Sequence, residues 1–263
     1  MKRIGWIGLA ALGAVSVAVL AEEPAKLVFK LPPGYIAAEN VPDSAVLIPP
    51  APTPKSATAA RDKAASKLAL AQHGQPRWQL ATADADLFSP KATGALSCAA
   101  GFEISPTATP VLDKLLRRTI VDFGFATGKA KKLYNRDRPF ELNKQPICTP
   151  EMAQGLAADG SYPSGHSAIG FGWSMVLAQL VPDRTTQLIA RGRAFGESRR
   201  YCNVHWQSDV EEGRVIAAAV FARLQSEPAY QADLAAARDE LAKVPRQAPS
   251  RDCAAEAAAL AGG

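Results

Sequence analysis

Beyond residue 55, apolar side chains recur at helical spacing through most of the chain, and prolines mark the breaks between the runs. Ser56 to Gln72 is rich in Ala, Lys and Leu with few breakers, which predicts a first long helix. Pro76 to Leu87 opens on a proline near a first helical position and carries Trp78, Leu80 and Leu87. Thr109-Pro110 reads as an N-cap followed by proline at N1, with Leu112, Leu115, Leu116, Ile120 and Val121 recurring at helical spacing after it. That helix is expected to run past Gly124 towards Lys131. Thr149-Pro150 repeats the signal for a shorter helix to about Ala158. Residues Ala168 to Val181 are apolar nearly all round, so they predict a central, buried helix. Its small residues Ala168, Gly170, Gly172 and Ser174 permit close helix packing. Pro182 breaks it, and Arg184 to Phe195, His205 to Leu224 and Pro228 to Ala242 read as further helices. No stretch alternates apolar and polar residues for long. The expected fold is all-α, a single compact helical domain around a central buried helix.

The two ends read differently. Residues 1–21 have the form of a secretory signal, with an uncleaved membrane anchor as the rival reading: Lys2 and Arg3, an uncharged run of 17 residues from Ile4 to Leu20, then small residues before Glu22. Residues 22–55 form a Pro-rich arm, with Leu31, Tyr35, Val46 and Leu47 available for burial. Residues 56–248 carry the helical domain, and 249–263 form an Ala-rich tail. No later segment is long and apolar enough to span a bilayer, so the mature protein is expected to be soluble and exported, with no membrane association after signal cleavage.

The formal net charge of +5 includes Lys2 and Arg3, and no basic run with interleaved aromatics occurs. Nucleic acid is therefore not an expected partner. Cys98, Cys148, Cys202 and Cys253 permit two disulfides in an exported chain, in any of three pairings. Their spacing matches no common zinc pattern.

Three clusters carry the chemistry. Lys131 is separated by six residues from Arg138-Pro139; Gly160-Ser161-Tyr162-Pro163-Ser164-Gly165-His166 leads into the apolar helix; and Ser198-Arg199 is followed after five residues by His205, with Asp209 four positions on. On a helix, residues four apart share a face, so Asp209 can accept from one imidazole nitrogen of His205 and leave the other to attack. A His/Asp pair alone at this spacing is an ordinary structural feature; the flanking clusters change its meaning. Ser164 and backbone amides near His166 are the donors that hold phosphate at a helix N-terminus. His166, if cationic, can protonate a leaving alkoxide. Lys131, Arg138 and Arg199 supply positive charge for equatorial phosphoryl oxygens, so no divalent metal is required. His73, in a polar Gln-His-Gly turn, reads as inert.

Taken in order, with 23 residues between Pro139 and Pro163 and 31 between His166 and Ser198, the clusters resemble the signature of the type 2 phosphatidic-acid phosphatase and vanadium haloperoxidase superfamily. Gly160-Ser161-Tyr162 and His205-Trp206-Gln207-Ser208-Asp209 resemble the class A bacterial non-specific acid phosphatases in particular. The likeness extends from about Pro32 to Leu224, and Ser167 stands where that class usually has threonine. The resemblance implies His205 as nucleophile, Asp209 as its orienting partner and His166 as general acid. It implies Lys131, Arg138, Ser164, Gly165 and Arg199 as phosphate ligands. It also implies a periplasmic, cofactor-free, metal-independent enzyme acting on phosphomonoesters, forming a homodimer or larger assembly, with phosphate or vanadate as site ligands. The expected function is acid phosphatase. The alternatives are a vanadium-dependent haloperoxidase using the same oxyanion site and a non-catalytic oxyanion-binding protein.

Overall fold

The computed structural model describes residues 32–263. The expected leader at residues 1–21 and the start of the Pro-rich arm lie outside the described residues. The helices are, in order, α1 (Ser44–Leu47), α2 (Ala57–Leu70), α3 (Pro76–Ala83), α4 (Ser97–Ala100), α5 (Pro110–Phe125), α6 (Gly128–Tyr134) and α7 (Pro139–Asn143). They continue with α8 (Ala153–Ala157), α9 (Gly165–Leu180), α10 (Thr185–Tyr201), α11 (Gln207–Leu224), α12 (Pro228–Lys243) and α13 (Cys253–Ala261). No strand occurs among the described residues, so the all-α expectation holds.

The apolar helix α9 is central, packed against α5, α10 and α11. Gly170 faces the Phe195 ring and Gly172 the Phe123 ring, where a β-carbon would collide with either. Trp173 is fully buried on α9, and its indole Nε1 donates to the Leu116 carbonyl of α5 at 2.8 Å, so the large apolar group enters the core with its polar atom satisfied.

Several boundaries differ from the sequence reading. Thr109 makes no side-chain cap on α5. The free amides of Val111 and Leu112 donate instead to the Glu240 carboxylate of α12, each at 2.9 Å. A carboxylate at a helix N-terminus satisfies donors and complements the dipole together. The helix does not run on to Lys131 either: it stops at Phe125, Thr127 Oγ1 donates back to the Gly124 carbonyl at 2.7 Å, and α6 starts afresh at Gly128. That break lets the Lys131 side chain face the site from a separate short helix. Thr149-Pro150 opens a 3₁₀ turn before α8, and α10 continues beyond Phe195 to Tyr201.

The described part of the arm is pinned to the body. The amides of Tyr35 and Ile36 each donate to Asp122 of α5 at 2.9 Å, and the Tyr35 ring packs under the Arg118 guanidinium. Two disulfides, Cys98–Cys253 and Cys148–Cys202, choose one of the three possible pairings. The first ties the C-terminal helix α13 to α4. No helix among the described residues is long and apolar enough to cross a membrane.

Candidate active site

The three clusters meet at the N-terminus of α9. Ser164 caps that helix: its Oγ accepts from the Ser167 amide at 3.2 Å, which leaves the hydroxyl proton to donate. Gly165 and His166 open the first turn. Gly213 of α11 lets the two helices approach, since a β-carbon there would stand 2.5 Å from the Ser164 carbonyl oxygen. The contact is used directly: the Ser164 amide donates to the Asp209 carbonyl at 2.9 Å, joining the second cluster to the third.

His205 does not lie on the helix with Asp209, as the spacing implied. It precedes α11 by two residues, and Trp206 is the N-cap. Asp209, in the first turn, accepts from the Trp206 amide at 2.8 Å and lies 3.3 Å from His205 Nδ1 through the same oxygen, Oδ2. The pairing the sequence suggested is present, produced by a capping turn. Because a carboxylate only accepts, Nδ1 carries the proton and Nε2 the lone pair.

Behind Asp209 stands a residue that the motifs did not single out. Arg136 donates to Asp209 Oδ1 at 2.6 Å, to Ser208 Oγ at 2.8 Å and to Asp62 Oδ2 at 2.7 Å. Burial pushes the Asp209 carboxyl upward, and Arg136 is the leading influence that opposes this. Arg136→Ala would leave two buried carboxylates without their cation. Breaking such a group costs about 3–5 kcal/mol, and at roughly 2–4 °C per kcal/mol the melting temperature should fall by at least about 6 °C. Scanning calorimetry checks this; an unchanged melting temperature would show that Arg136 carries none of the network.

The expected cations surround the imidazoles. Arg138 is almost wholly buried: its Nε donates to the Leu156 carbonyl at 2.6 Å, and its Nη1 donates to the Val204 carbonyl at 2.9 Å and lies 3.1 Å from His205 Nε2. The guanidinium therefore sits beside the lone pair of His205. Lys131 Nζ donates to the Gly160 carbonyl and pairs with Asp159 at 2.9 Å. Burial, with Arg138 nearby, lowers the affinity of Lys131 for its proton.

Arg199 is different. It is 0% exposed, and none of its three guanidinium nitrogens makes a hydrogen bond among the described residues. Burial, followed by repulsion from Arg138, pushes its pKa down to about 9. His166 Nε2 lies 3.0 Å from the Ala85 carbonyl, so that nitrogen donates. Burial holds both histidines well below the usual imidazole range; Arg199 adds to this at His166, and Arg138, Lys131 and Arg199 add to it at His205. A buried cation with no hydrogen-bond partner among the described residues, close enough to disfavour protons on both imidazoles, suits an anionic guest.

A cavity of about 580 Å³ opens over this floor, lined by Lys131, Arg138, Gly165, His166 and His205, with Phe88, Ile120, Phe125 and Ile169 among its apolar walls. Residues 118–227 match the PAP2 superfamily, a span that contains all eight site residues expected from the sequence. The chain is 40% identical over 228 residues to a non-specific acid phosphatase of Salmonella typhimurium, covering 82% of this chain and 91% of that protein. It is 37% identical over 210 residues to an acid phosphatase of Zymomonas mobilis, covering 80% of each. A non-specific acid phosphatase of Providencia stuartii is 36% identical over 211 residues, covering 80% of this chain and 85% of the relative. The chain belongs to the bacterial non-specific acid phosphatases of the PAP2 superfamily. In this phosphatase, the floor of the cavity is cationic and the walls are largely apolar. Asp62, which holds both Ser208 and Arg136, lies outside the matched span and carries no motif signal of its own.

Proposed function

We propose that this phosphatase hydrolyses phosphomonoesters through a phosphohistidine at His205, without a metal ion. The observation that carries the reading is the buried Arg199 guanidinium, which has no hydrogen-bond partner among the described residues and acts on both His166 and His205. A phosphoryl group seated there gives Arg199 the acceptors it lacks and neutralises the charge shared with Lys131 and Arg138.

In the first step, the Nε2 lone pair of His205 forms a bond to phosphorus as the ester P–O bond breaks. Asp209 accepts from Nδ1–H and stabilises the imidazolium character that develops. The leaving alkoxide takes a proton from His166. In the second step, water attacks phosphorus, the P–N bond breaks, and His166 takes the water proton as phosphate departs. Lys131, Arg138, Arg199, the Ser164 hydroxyl and the Gly165 amide hold the phosphoryl oxygens. Export to the periplasm after cleavage near Ala21 and assembly into a dimer or larger oligomer complete this reading.

The pH dependence follows from the two histidines. His205 must be neutral to attack, and its lowered pKa keeps it so well into acid. His166 must carry a second proton, and burial with Arg199 opposes this until a phosphoryl dianion faces it. Turnover is therefore expected to peak below pH ~6.5, the unperturbed imidazole value, and to decline as pH rises through the His166 pKa in the complex. His166→Ala should remove that alkaline decline. A wild-type rate that climbs steadily into alkaline pH would assign the proton to another group.

Hydrolysis of p-nitrophenyl phosphate in excess EDTA tests the metal-free part of this reading. Robust turnover is expected. Abolished turnover restored by a divalent ion would require a metal in the mechanism.

A further inference from the structure

The phosphatase also contains a buried polar network that reaches the site from behind and takes no part in the chemistry above. Asp84 is 0% exposed. Arg191 of α10 grips it with two bonds, Nη2 to Oδ1 at 2.6 Å and Nη1 to Oδ2 at 3.1 Å. Ser198 Oγ donates to Asp84 Oδ2 at 2.6 Å and accepts from Arg77 Nη1 at 3.0 Å. The third guanidinium nitrogen of Arg191, Nε, donates to Glu256 of α13 at 3.0 Å.

Both chain neighbours of this network belong to the site. Ala85 follows Asp84, and its carbonyl is the acceptor for His166 Nε2. Arg199 follows Ser198, and its guanidinium has no hydrogen bond among the described residues to hold it in place. Its position is therefore inherited from the α10 backbone, which Ser198 fixes against residues 84–85.

We propose that Asp84, supported by Arg191 and Glu256, is a positioning residue that sets His166 and Arg199 in register for the reaction. The inference rests on the reading of His166 as proton donor and Arg199 as phosphoryl ligand. Since Ala85 takes the Nε2 proton, Nδ1 is left to protonate the leaving group. A shift of the Ala85 carbonyl then turns the donor away from the ester oxygen. The C-terminal helix joins the same device, since Glu256 leaves the network if α13 leaves the body, and Cys98–Cys253 holds it there.

The experiment compares kcat/KM for p-nitrophenyl phosphate, whose leaving group needs little protonation, with that for glycerol phosphate, whose leaving group needs it fully. Inhibition by inorganic phosphate is measured alongside. Asp84→Asn should lower the glycerol phosphate value about tenfold more than the aryl value, as expected when a donor is displaced by a fraction of an ångström. It should also weaken phosphate inhibition about tenfold through Arg199. Glu256→Gln should shift both in the same direction by less. Ser198→Ala removes only a hydroxyl, and it alone should weaken phosphate inhibition several-fold; it decides the matter if Asp84→Asn does not fold.

Folded Asp84→Asn and Ser198→Ala proteins with the wild-type substrate ratio and wild-type phosphate inhibition would overturn the proposal. A loss equal for both substrates with unchanged phosphate inhibition would do the same, since that is how a merely structural residue behaves. His166→Ala separates the two levels. If it too keeps the wild-type substrate ratio, the reading of His166 has failed and that half of the proposal falls with it. If His166→Ala changes the ratio and Asp84→Asn does not, only the positioning role is lost.

Discussion

Arg199→Met is expected to yield a protein that melts at a higher temperature than the wild type and hydrolyses phosphomonoesters poorly. The stability half follows from burial. A guanidinium with 0% exposure and no hydrogen-bond partner among the described residues is desolvated with only the nearby Asp84 carboxylate supporting its charge, and burial, followed by repulsion from Arg138, depresses its pKa to about 9. Methionine keeps most of the length and flexibility and removes the charge. Replacing poorly compensated buried charge by apolar volume stabilises proteins by about 1–4 kcal/mol, and each kcal/mol is worth roughly 2–4 °C in a chain of this size. The activity half follows from the transition state. On the function proposed above, Arg199 faces the equatorial phosphoryl oxygens, and loss of one such cation costs on the order of 10³-fold in rate. Inorganic phosphate should raise the melting temperature of the wild type and lose most of that effect in the variant. Retained turnover together with a lowered melting temperature would mean that Arg199 is a structural cation whose partners lie elsewhere.

His205→Ala is expected to abolish turnover, by roughly 10⁴-fold or more, the range seen when the nucleophile of an assembled site is removed. Its value lies in what should survive. Lys131, Arg138 and Arg199 remain, so the variant should still bind inorganic phosphate and be stabilised by it. A competent binder that has lost only the covalent step separates a phosphatase from an oxyanion-binding protein. If His205→Ala keeps turnover within about tenfold of the wild type, attack by His205 is excluded.

Much of this site was legible in the sequence because its residues sit in short local patterns. Ser164 announces the start of an apolar helix, and His166 must then lie in its first turn. The separation of His205 and Asp209 forces proximity whether the intervening residues form a helix or, as found, a capping turn. Lys131 and Arg138 were legible as charges, although the break between α5 and α6 that aims Lys131 was not. No proline marks that break, and at it both the amide and the hydroxyl of Thr127 turn back to the Gly124 carbonyl.

Residues whose partners are remote in the chain could not be read. Asn135-Arg136-Asp137-Arg138 offers two arginines, and only the fold shows that Arg136 supports Asp209 while Arg138 faces His205. Glu240 caps a helix through Val111, 129 residues earlier, and Asp62 reaches Ser208 across 146. Asp84 sits in Ala83-Asp84-Ala85-Asp86, where nothing local distinguishes the two carboxylates. One is locked to Arg191, and the other bonds the nearby Ser89. Cysteine pairing belongs to the same class of information, since it depends on where α13 folds back.

The most direct test of the central claim is to trap the covalent intermediate. The phosphatase is mixed with substrate at acidic pH, quenched within milliseconds into alkali, where a phosphorus–nitrogen bond survives, and digested for mass spectrometry. A phosphoryl group on the peptide carrying His205, absent in His205→Ala, is the predicted result. Rapid turnover with no phosphopeptide at any quench time, and incorporation of solvent oxygen with inversion at phosphorus, would contradict it and point to direct attack by water.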